Sequence, residues 1–287
     1  MDGNSTKGEP SGHLSRSTPG STRCAFVTGA CGGLGSAVTE RLAASSELVF
    51  AADTSLDRLA LLEGRPGIVP LLADVTRSGD LAHARAAVEA VADGLDALVC
   101  CAGVFTAGPL VEASEASMMQ ALEVNLMGVS RTVRELFPLL ARRSGVIVAV
   151  SSESARCAMP FNGPYTVSKY ALEAYCDVLR RELQFVGVRV VIVQPGAFRT
   201  GFLDDARRSL GDSRAGSLFG AYLSRALQVL SHDRHTSMPP DRVAATVLRA
   251  VRSRRPRARY RVGNHPLRVA LGKLPAAWAD GLIRRYL

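Results

Sequence analysis

Cys24-Ala-Phe-Val-Thr28-Gly29-Ala30-Cys31-Gly32-Gly33-Leu34-Gly35 decides the architecture. An apolar run ends at Thr28, glycines crowd the next seven positions, and a helical pattern follows over residues 35–44. Glycine lets a chain turn sharply and lets its backbone come close to a bound group. The N–H groups opening the helix then face whatever negative charge lies there, such as a pyrophosphate. A glycine-rich loop alone is a weak signal; a strand before it and a helix after it make it informative. A tight strand-to-helix turn without a ligand is the plainer alternative.

Outward from this stretch, apolar runs recur at 48–52, 68–72, 97–101, 146–151 and 188–194. Several are continuously apolar, as strands covered on both faces of a parallel sheet must be. Helical patterns at 35–44, 79–92, 114–142 and 164–186 alternate with them. The alternation predicts a single α/β domain: a doubly wound, mostly parallel sheet with helices on both faces. A short seventh strand is expected around 258–262. Residues 202–240 have mixed polarity and little strand signal, and read as a helical lid. Residues 1–22, rich in Ser, Thr, Gly and Pro, read as a disordered tail without the apolar stretch of a secretory signal.

The 287 residues are 47% hydrophobic and 21% charged, enough for a sizeable core and too apolar for a disordered or collagen-like chain. Net charge is 35 − 26 = +9. Residues 249–287 hold eleven Lys/Arg and one acid, Asp280, hence +10, so the rest sums to 9 − 10 = −1. A near-neutral body therefore carries a basic tail. The run Arg252-Ser-Arg-Arg255-Pro-Arg257-Ala-Arg259 lacks interleaved aromatics, and no nucleic acid is expected as a partner. Six cysteines stand at 24, 31, 100, 101, 157 and 176, without the spacing of a zinc site or a disulfide framework, and no metal is expected. They read as small buried thiols of a reducing compartment. A redox role for the adjacent pair Cys100-Cys101 is the alternative. No apolar run reaches the roughly 18–20 residues of a membrane-spanning helix.

Asp53 closes the second apolar run, 53 − 35 = 18 residues past Gly35. A carboxylate there accepts both hydroxyls of an adenosine ribose and repels a 2′-phosphate. No Lys or Arg stands at 54 or inside the glycine loop. Both absences favour NAD over NADP. Arg58 keeps NADP open, although a solvated helix charge is its simpler role. Asp74 and Val75, after the third run, either touch the adenine edge or cap the next helix.

Ser151-Ser152 ends the fifth run, Tyr165 follows thirteen residues after Ser152, and Lys169 comes four later. Tyr165 and Lys169 at i, i+4 share a helical face. An ammonium beside a phenol favours its anion and moves it toward acid–base work at neutral pH. A serine at the adjacent strand end is placed to hold a carbonyl or alcohol oxygen. Ser151 and Ser154 are rivals for that role.

These residues together resemble the short-chain dehydrogenase/reductase family over about residues 23–200. The resemblance rests on the T-G-x-x-x-G-x-G loop, Cys100-Cys101-Ala102-Gly103, Val124-Asn125, Val150-Ser151-Ser152, Tyr165/Lys169 and Gln194-Pro195-Gly196. Tyr165-Thr-Val-Ser-Lys-Tyr-Ala-Leu-Glu-Ala, with Pro160-Phe161-Asn162 before it, is most similar to the retinol, hydroxysteroid and hydroxybutyrate dehydrogenase branch. The resemblance implies a Rossmann-type catalytic domain over 23–265 and a ketone- or alcohol-converting oxidoreductase. Tyr165 is then the general acid/base, Ser152 binds the substrate oxygen, Lys169 tunes Tyr165 and binds the nicotinamide ribose, and Asn125 completes a proton relay. It implies a cofactor site of Gly29, Cys31, Gly33, Leu34, Gly35, Asp53, Asp74, Val75, Cys101, Ala102, Gly103, Tyr165, Lys169, Pro195, Gly196 and Thr200. Where the family has Asn-Ala-Gly, this chain has Cys101, a poorer hydrogen-bonding group.

Phe202, Leu203, Leu210, Leu218, Phe219, Tyr222, Leu223 and Leu227, with Met159 and Phe161, are expected to build a pocket for a hydrophobic steroid-, retinoid- or polyketide-like alcohol or ketone, or to fill the lid's own core. The helices at 114–142 and 164–186 carry apolar residues beyond one face, such as Met118, Met119, Leu122, Leu126 and Val133. The resemblance implies that they pair with their copies, so a homodimer or homotetramer is expected. Residues 266–287 read as one amphipathic helix, with Leu267, Leu271, Leu274, Trp278 and Ile283 on its stripe. It packs on its own domain or a partner, or lies on an anionic membrane surface. The protein is expected to be cytoplasmic, with peripheral membrane contact left open. The competing functional class is a dinucleotide-binding sensor or scaffold with weak turnover.

Overall fold

The computed structural model describes residues 22–213 and 216–286. The expected N-terminal tail, Thr22 apart, lies outside the described residues. Seven strands, β1 (Arg23–Thr28), β2 (Glu47–Asp53), β3 (Ile68–Leu72), β4 (Ala97–Cys100), β5 (Val146–Val150), β6 (Arg189–Pro195) and β7 (Arg259–Val262), form one sheet in the order β3-β2-β1-β4-β5-β6-β7. Every pairing is parallel, beyond the mostly parallel sheet expected.

One apolar layer joins Val27, Val49, Val99 and Val148 to Leu42 of α1 (Gly33–Ala43) and Val247 of α9 (Asp241–Arg252). The other joins Phe26, Phe50, Leu98 and Ile147 to Val88 of α3 (Ser78–Glu89), Leu136 of α5 (Gly128–Arg142) and Leu172 of α6 (Gly163–Leu183). Alternate residues of one strand feed opposite layers, which is why these runs read as continuously apolar. The strand order reverses between β1 and β4. A crevice opens there beyond the carboxyl ends of the strands, the usual ligand position in such sheets. Register keeps those ends level: Thr28 pairs with Ala52 on one side and Cys100 on the other.

The helix expected over 114–142 is one rod in three parts. Ser114 caps α4 (Glu115–Leu122), its Oγ accepting the Ser117 N–H at 3.2 Å. A π-helical segment, Glu123–Met127, precedes α5. Such a bulge re-aims side chains and tends to mark functional positions; here it holds Asn125. A five-residue helix, α2 (Leu56–Ala60), was too short to show a period in the sequence.

Within the expected lid stand α7 (Phe202–Asp212) and α8 (Gly220–Thr236). Leu210 and Leu223 fill a small cluster with Ala107, flanked by Phe105, Phe161, Phe219 and Leu227. Leu218 and Tyr222, expected in the pocket, instead point outward, Leu218 being 93% exposed.

Residues 266–287 do not form the single helix expected. Two helices, α10 (Pro266–Leu271) and α11 (Ala276–Tyr286), are separated at Gly272-Lys-Leu-Pro275. Gly272 is pressed against the Arg156 carbonyl, where a Cβ would sit 2.3 Å from the oxygen. Leu271 is buried there, whereas Leu267, Leu274 and Trp278 remain exposed. Part of the basic charge is consumed internally: Arg259 pairs with Glu173 and Asp177, Arg252 with Glu47, and Arg268 with Glu153. Among the described residues no helix is long and apolar enough to cross a membrane, and no His/Cys/Asp/Glu group is placed to hold a metal.

Candidate active site

The glycine loop is fixed by contacts no side chain would permit. Gly29 has φ +62°, and a Cβ on it would lie 2.8 Å from the Ala102 backbone. A Cβ on Gly35 would lie 2.0 Å from the Gly29 carbonyl oxygen, and one on Gly33 2.5 Å from the Thr200 side chain. Asp53 ties β2 to this loop: its Oδ2 accepts the Cys31 N–H at 2.9 Å and its Oδ1 the Ser55 N–H at 3.1 Å. The loop backbone is thus held open with the first N–H groups of α1 turned toward the crevice, as an anionic ligand requires.

That crevice is a cleft of about 610 Å³. Of the residues predicted for the cofactor, Gly29, Gly33, Leu34, Gly35, Cys101, Gly103, Tyr165, Lys169, Pro195, Gly196 and Thr200 line it. Its size and glycine cradle fit a dinucleotide; Asp53 and Cys31, also predicted for the cofactor, are not among its lining residues. Ala102 stands behind, donating its N–H to Thr28 Oγ1 at 3.3 Å. Asp74 and Val75 are not among the residues that line the cleft. Asp74 Oδ1 accepts the Thr76 N–H (2.8 Å) and hydroxyl (2.7 Å), bracing the turn before α3 without capping that helix, whose N-cap is Arg77. Val75 is buried against Gly128, whose added Cβ would come within 2.6 Å of it. Arg58 also lines the cleft. Burial pushes the Cys101 thiol up to about 12, and burial with the Asp53 charge pushes Cys31 up to about 11. Both are neutral thiols, unlike the thiolates of redox-active pairs.

β5 ends at Val150, the next two residues enter the site, and α6 stands opposite. Ser152 Oγ accepts the Ser154 N–H at 3.1 Å, and Ser152 lines both the cleft and the lid pocket together with Tyr165. Ser151 Oγ is buried without a protein partner, and Ser154 takes part through its backbone, so Ser152 is the serine beside the phenol. Lys169 Nζ lies 5.8 Å from the Tyr165 ring centroid and donates to the Val150 carbonyl at 2.9 Å. Asn125 is fully buried. Its Nδ2 donates to Val104 O (3.0 Å) and Ser168 Oγ (2.9 Å), and its Oδ1 accepts the Val104 N–H (2.8 Å). The side-chain amide of Asn125 thus fastens residues 103–105 to α6.

The electrostatics depart from the sequence expectation. Burial pushes the Tyr165 phenol up to about 12; the Ser152 hydrogen bond opposes this, and the Glu153 charge adds to it. Burial pushes Lys169 down to about 8 against the opposing pull of Cys101, Cys176, Cys100 and Glu173. The expected lowering of Tyr165 is outweighed because both groups leave water together, and desolvation disfavours each charged form.

Phe105 and Phe202 enclose the phenol, their ring centroids 4.6 and 5.4 Å from that of Tyr165. They also line a second, narrower pocket under the lid, with Met159, Leu203 and Leu210. Ser152 and Tyr165 line both spaces. The sequence missed two polar members of the second pocket, Glu153 and Arg268, paired at 2.6 Å. No local pattern joins residues 268 − 153 = 115 positions apart. Ser168, the partner of Asn125, was missed although it lies within the Tyr165–Lys169 segment.

The short chain dehydrogenase family matches residues 23–211. Human short-chain dehydrogenase/reductase family 9C member 7 is 31% identical over 291 residues, covering 93% of this chain and 90% of that protein. Human 17-beta-hydroxysteroid dehydrogenase type 6 is 40% identical over 181 residues, 61% of this chain and 57% of that one. A short chain dehydrogenase of Burkholderia cenocepacia J2315, solved in complex with NADP, superposes with a TM-score of 0.70 at 25% identity over 93% of this chain and 98% of its own.

Proposed function

The chain belongs to the short-chain dehydrogenase family, and from that premise we propose that it interconverts a hydrophobic alcohol and its ketone or aldehyde, with Tyr165 as general acid/base. As a member it is an NAD(P)-dependent oxidoreductase. A nicotinamide dinucleotide supplies or accepts the hydride when bound. The observation that carries the reading is that Tyr165 and Ser152 form the wall shared by the cleft and the lid pocket. A substrate oxygen in the lid pocket then meets both hydroxyls, one to hold it and one to exchange its proton. Lys169 is assigned to the nicotinamide ribose and, when protonated, to stabilising the phenolate. Asn125 is a positioning residue, fixing residues 103–105 against α6. Gly29, Gly33, Leu34 and Gly35 are assigned to the pyrophosphate, Asp53 to the adenosine ribose with NAD as the preferred cofactor, and Pro195, Gly196 and Thr200 to the nicotinamide side.

Replacing Tyr165 by Phe tests the assignment. The hydroxyl alone is lost, so dinucleotide affinity should hold while turnover of hydrophobic alcohols and ketones falls about 10²–10⁴-fold. Near-normal turnover by the variant sinks the mechanism; wild type that binds a dinucleotide but turns none of these substrates over favours a dinucleotide sensor. Assembly is a second element of the proposal. Met119 and Met127 are exposed on the rod containing α4 and α5, as are Val178 and Phe185 on and just after α6. These surfaces suit pairing with a second copy as a homodimer or homotetramer. Light scattering at micromolar concentration should show more than one subunit; a monomer removes this element.

A further inference from the structure

Folding neutralises the basic charge of the C-terminal segment unevenly. Arg252, Arg259 and Arg268 are each paired with a carboxylate of the body. Arg249, Arg255, Arg257 and Arg261 are exposed, and among the described residues no Asp or Glu pairs with any of them. All four line one open hollow of about 700 Å³, built from α9, the loop after it and the edge strand β7. No described acidic residue lines it, and none of its residues lines the cofactor cleft or the lid pocket.

The loop that carries two of these arginines is pinned at both ends. Ser253 Oγ accepts the Arg255 N–H at 3.3 Å, and the Ser253 carbonyl accepts from Arg189 Nη1 at 2.7 Å. The Tyr260 hydroxyl oxygen accepts the Arg257 N–H at 3.1 Å. The backbone bearing Arg255 and Arg257 is thus fixed without help from a ligand. Like charges gathered around one space repel, more strongly the closer they stand. Charge on an edge strand deters pairing with another chain, and β7 is the last strand of the sheet. That accounts for Arg261, but not for Arg249 on α9 or for Arg255 and Arg257 on the loop. A second copy related by a two-fold axis would set this face against itself, like charge on like. A flat bilayer would meet the rim of a hollow, whereas a compact anion enters it and reaches several side chains at once.

We propose that this hollow is a second ligand site, for a soluble anion carrying several phosphate groups held by Arg249, Arg255, Arg257 and Arg261. A guanidinium presents a planar fork that matches two phosphate oxygens together. Linked phosphates on one molecule answer several forks in a single binding event. The site stands apart from Tyr165 and the dinucleotide, so its failure would leave the oxidoreductase reading untouched.

The experiment titrates tripolyphosphate into the full chain at constant ionic strength, with excess NADH present so that the glycine loop is already filled. Calorimetry should show one site per chain, and inorganic phosphate should bind at least about tenfold more weakly. Tripolyphosphate at a hundredfold excess over its Kd should raise Tm by about 5 °C. The double variant Arg255→Gln with Arg257→Gln should weaken tripolyphosphate binding at least about tenfold, the range of a lost hydrogen bond to a charged group. Arg284→Gln with Arg285→Gln is the control: it removes the same charge from exposed positions outside the hollow. Screening over that separation should hold its effect below about threefold. Both variants should turn over hydrophobic ketones as wild type does.

Equal losses in the two double variants would mean a diffuse attraction to net charge, and overturn the site. Binding that vanishes when NADH is present overturns it too, since the anion then sat on the glycine loop. A third arm offers vesicles of phosphatidylglycerol in phosphatidylcholine. Retention by these vesicles without affinity for tripolyphosphate overturns the proposal in favour of a membrane surface. If the Arg255/Arg257 variant does not fold, Arg249→Gln decides alone: an unchanged Kd for tripolyphosphate overturns the proposal.

Discussion

The cofactor half and the substrate half of this molecule are built by different means. Around the glycine loop, geometry is set by backbone against backbone: Gly29 on Ala102, Gly35 on Gly29. Asp53 bonds to the N–H of Cys31 in the same loop. Around the lid pocket, geometry is set by side chains from segments far apart in sequence, Phe105, Glu153, Met159, Phe202 and Arg268. Where backbone makes the site, few residue types are allowed and a short motif announces it. Where side chains make it, many combinations close the same space, and selectivity can change without disturbing the chemistry.

Gly35→Ala should give the largest effect of the tests on this contrast. Its Cβ would meet the Gly29 carbonyl at 2.0 Å, so the loop must move. Overpacking of this kind costs about 1–3 kcal/mol, and the displaced N–H groups should weaken dinucleotide binding at least tenfold by about the same energy. Gly211, in lid helix α7, is the control. A Cβ there meets nothing within 4 Å, so Gly211→Ala should leave affinity unchanged and raise stability by about 0.4–1 kcal/mol. Calorimetric titration with NADH and thermal melts of both variants check this. Equal effects at the two glycines would erase the distinction.

Asp53→Ala probes the same half through charge. If the carboxylate repels a 2′-phosphate, wild type should favour NAD(H), and the variant's preference should narrow by about tenfold, the worth of roughly one charge-assisted hydrogen bond. The loss of its bonds to Cys31 and Ser55 should also weaken NAD(H) binding itself. Wild type using NADP(H) as efficiently as NAD(H) would show that Asp53 serves only to brace the loop, with Arg58 the residue to examine next.

Legibility follows the same division. The sheet could be read because each central strand is buried on both faces, and the glycine loop because its contacts are local. The Ser152–Tyr165–Lys169 group was found through its spacing, and the structure gathers it on one wall. Asp74 was open between two roles because an acidic residue after a strand caps a turn as readily as it meets a ligand; here it bonds to Thr76. The C-terminal stripe looked like one helix because Leu267, Leu271, Leu274 and Trp278 keep a helical period across Gly272. That period is blind to the close approach of Gly272 to Arg156. Burial also escaped the sequence. A neighbouring ammonium was expected to lower the Tyr165 pKa, but no pattern of residue types reports that both groups have left water.

A further predicted effect lies in that burial, and its sign separates desolvation from simple charge pairing. Lys169 is held at about 8 against an ordinary 10.5. Below pH 8 the folded and unfolded chains both carry its proton. Between 8 and 10.5 the unfolded chain keeps the proton that the folded chain has shed, so this residue's contribution to stability rises with pH. Tyr165, at about 12 against 10, acts in the opposite sense: above pH 10 the unfolded chain loses its proton first and stability falls. Comparing Lys169→Met with wild type cancels the groups they share. The stability difference should therefore move in favour of wild type between pH 7 and 10, by about 1–3 kcal/mol or a few degrees in Tm. Had charge pairing dominated, the folded pKa would lie above 10.5 and wild type would gain nothing over that interval. Thermal melts of the two proteins at pH 7, 8, 9 and 10 give the comparison. A difference constant across the series would mean that Lys169 stays protonated in the folded protein, and that its ammonium, rather than its partial neutrality, is what α6 presents to Tyr165.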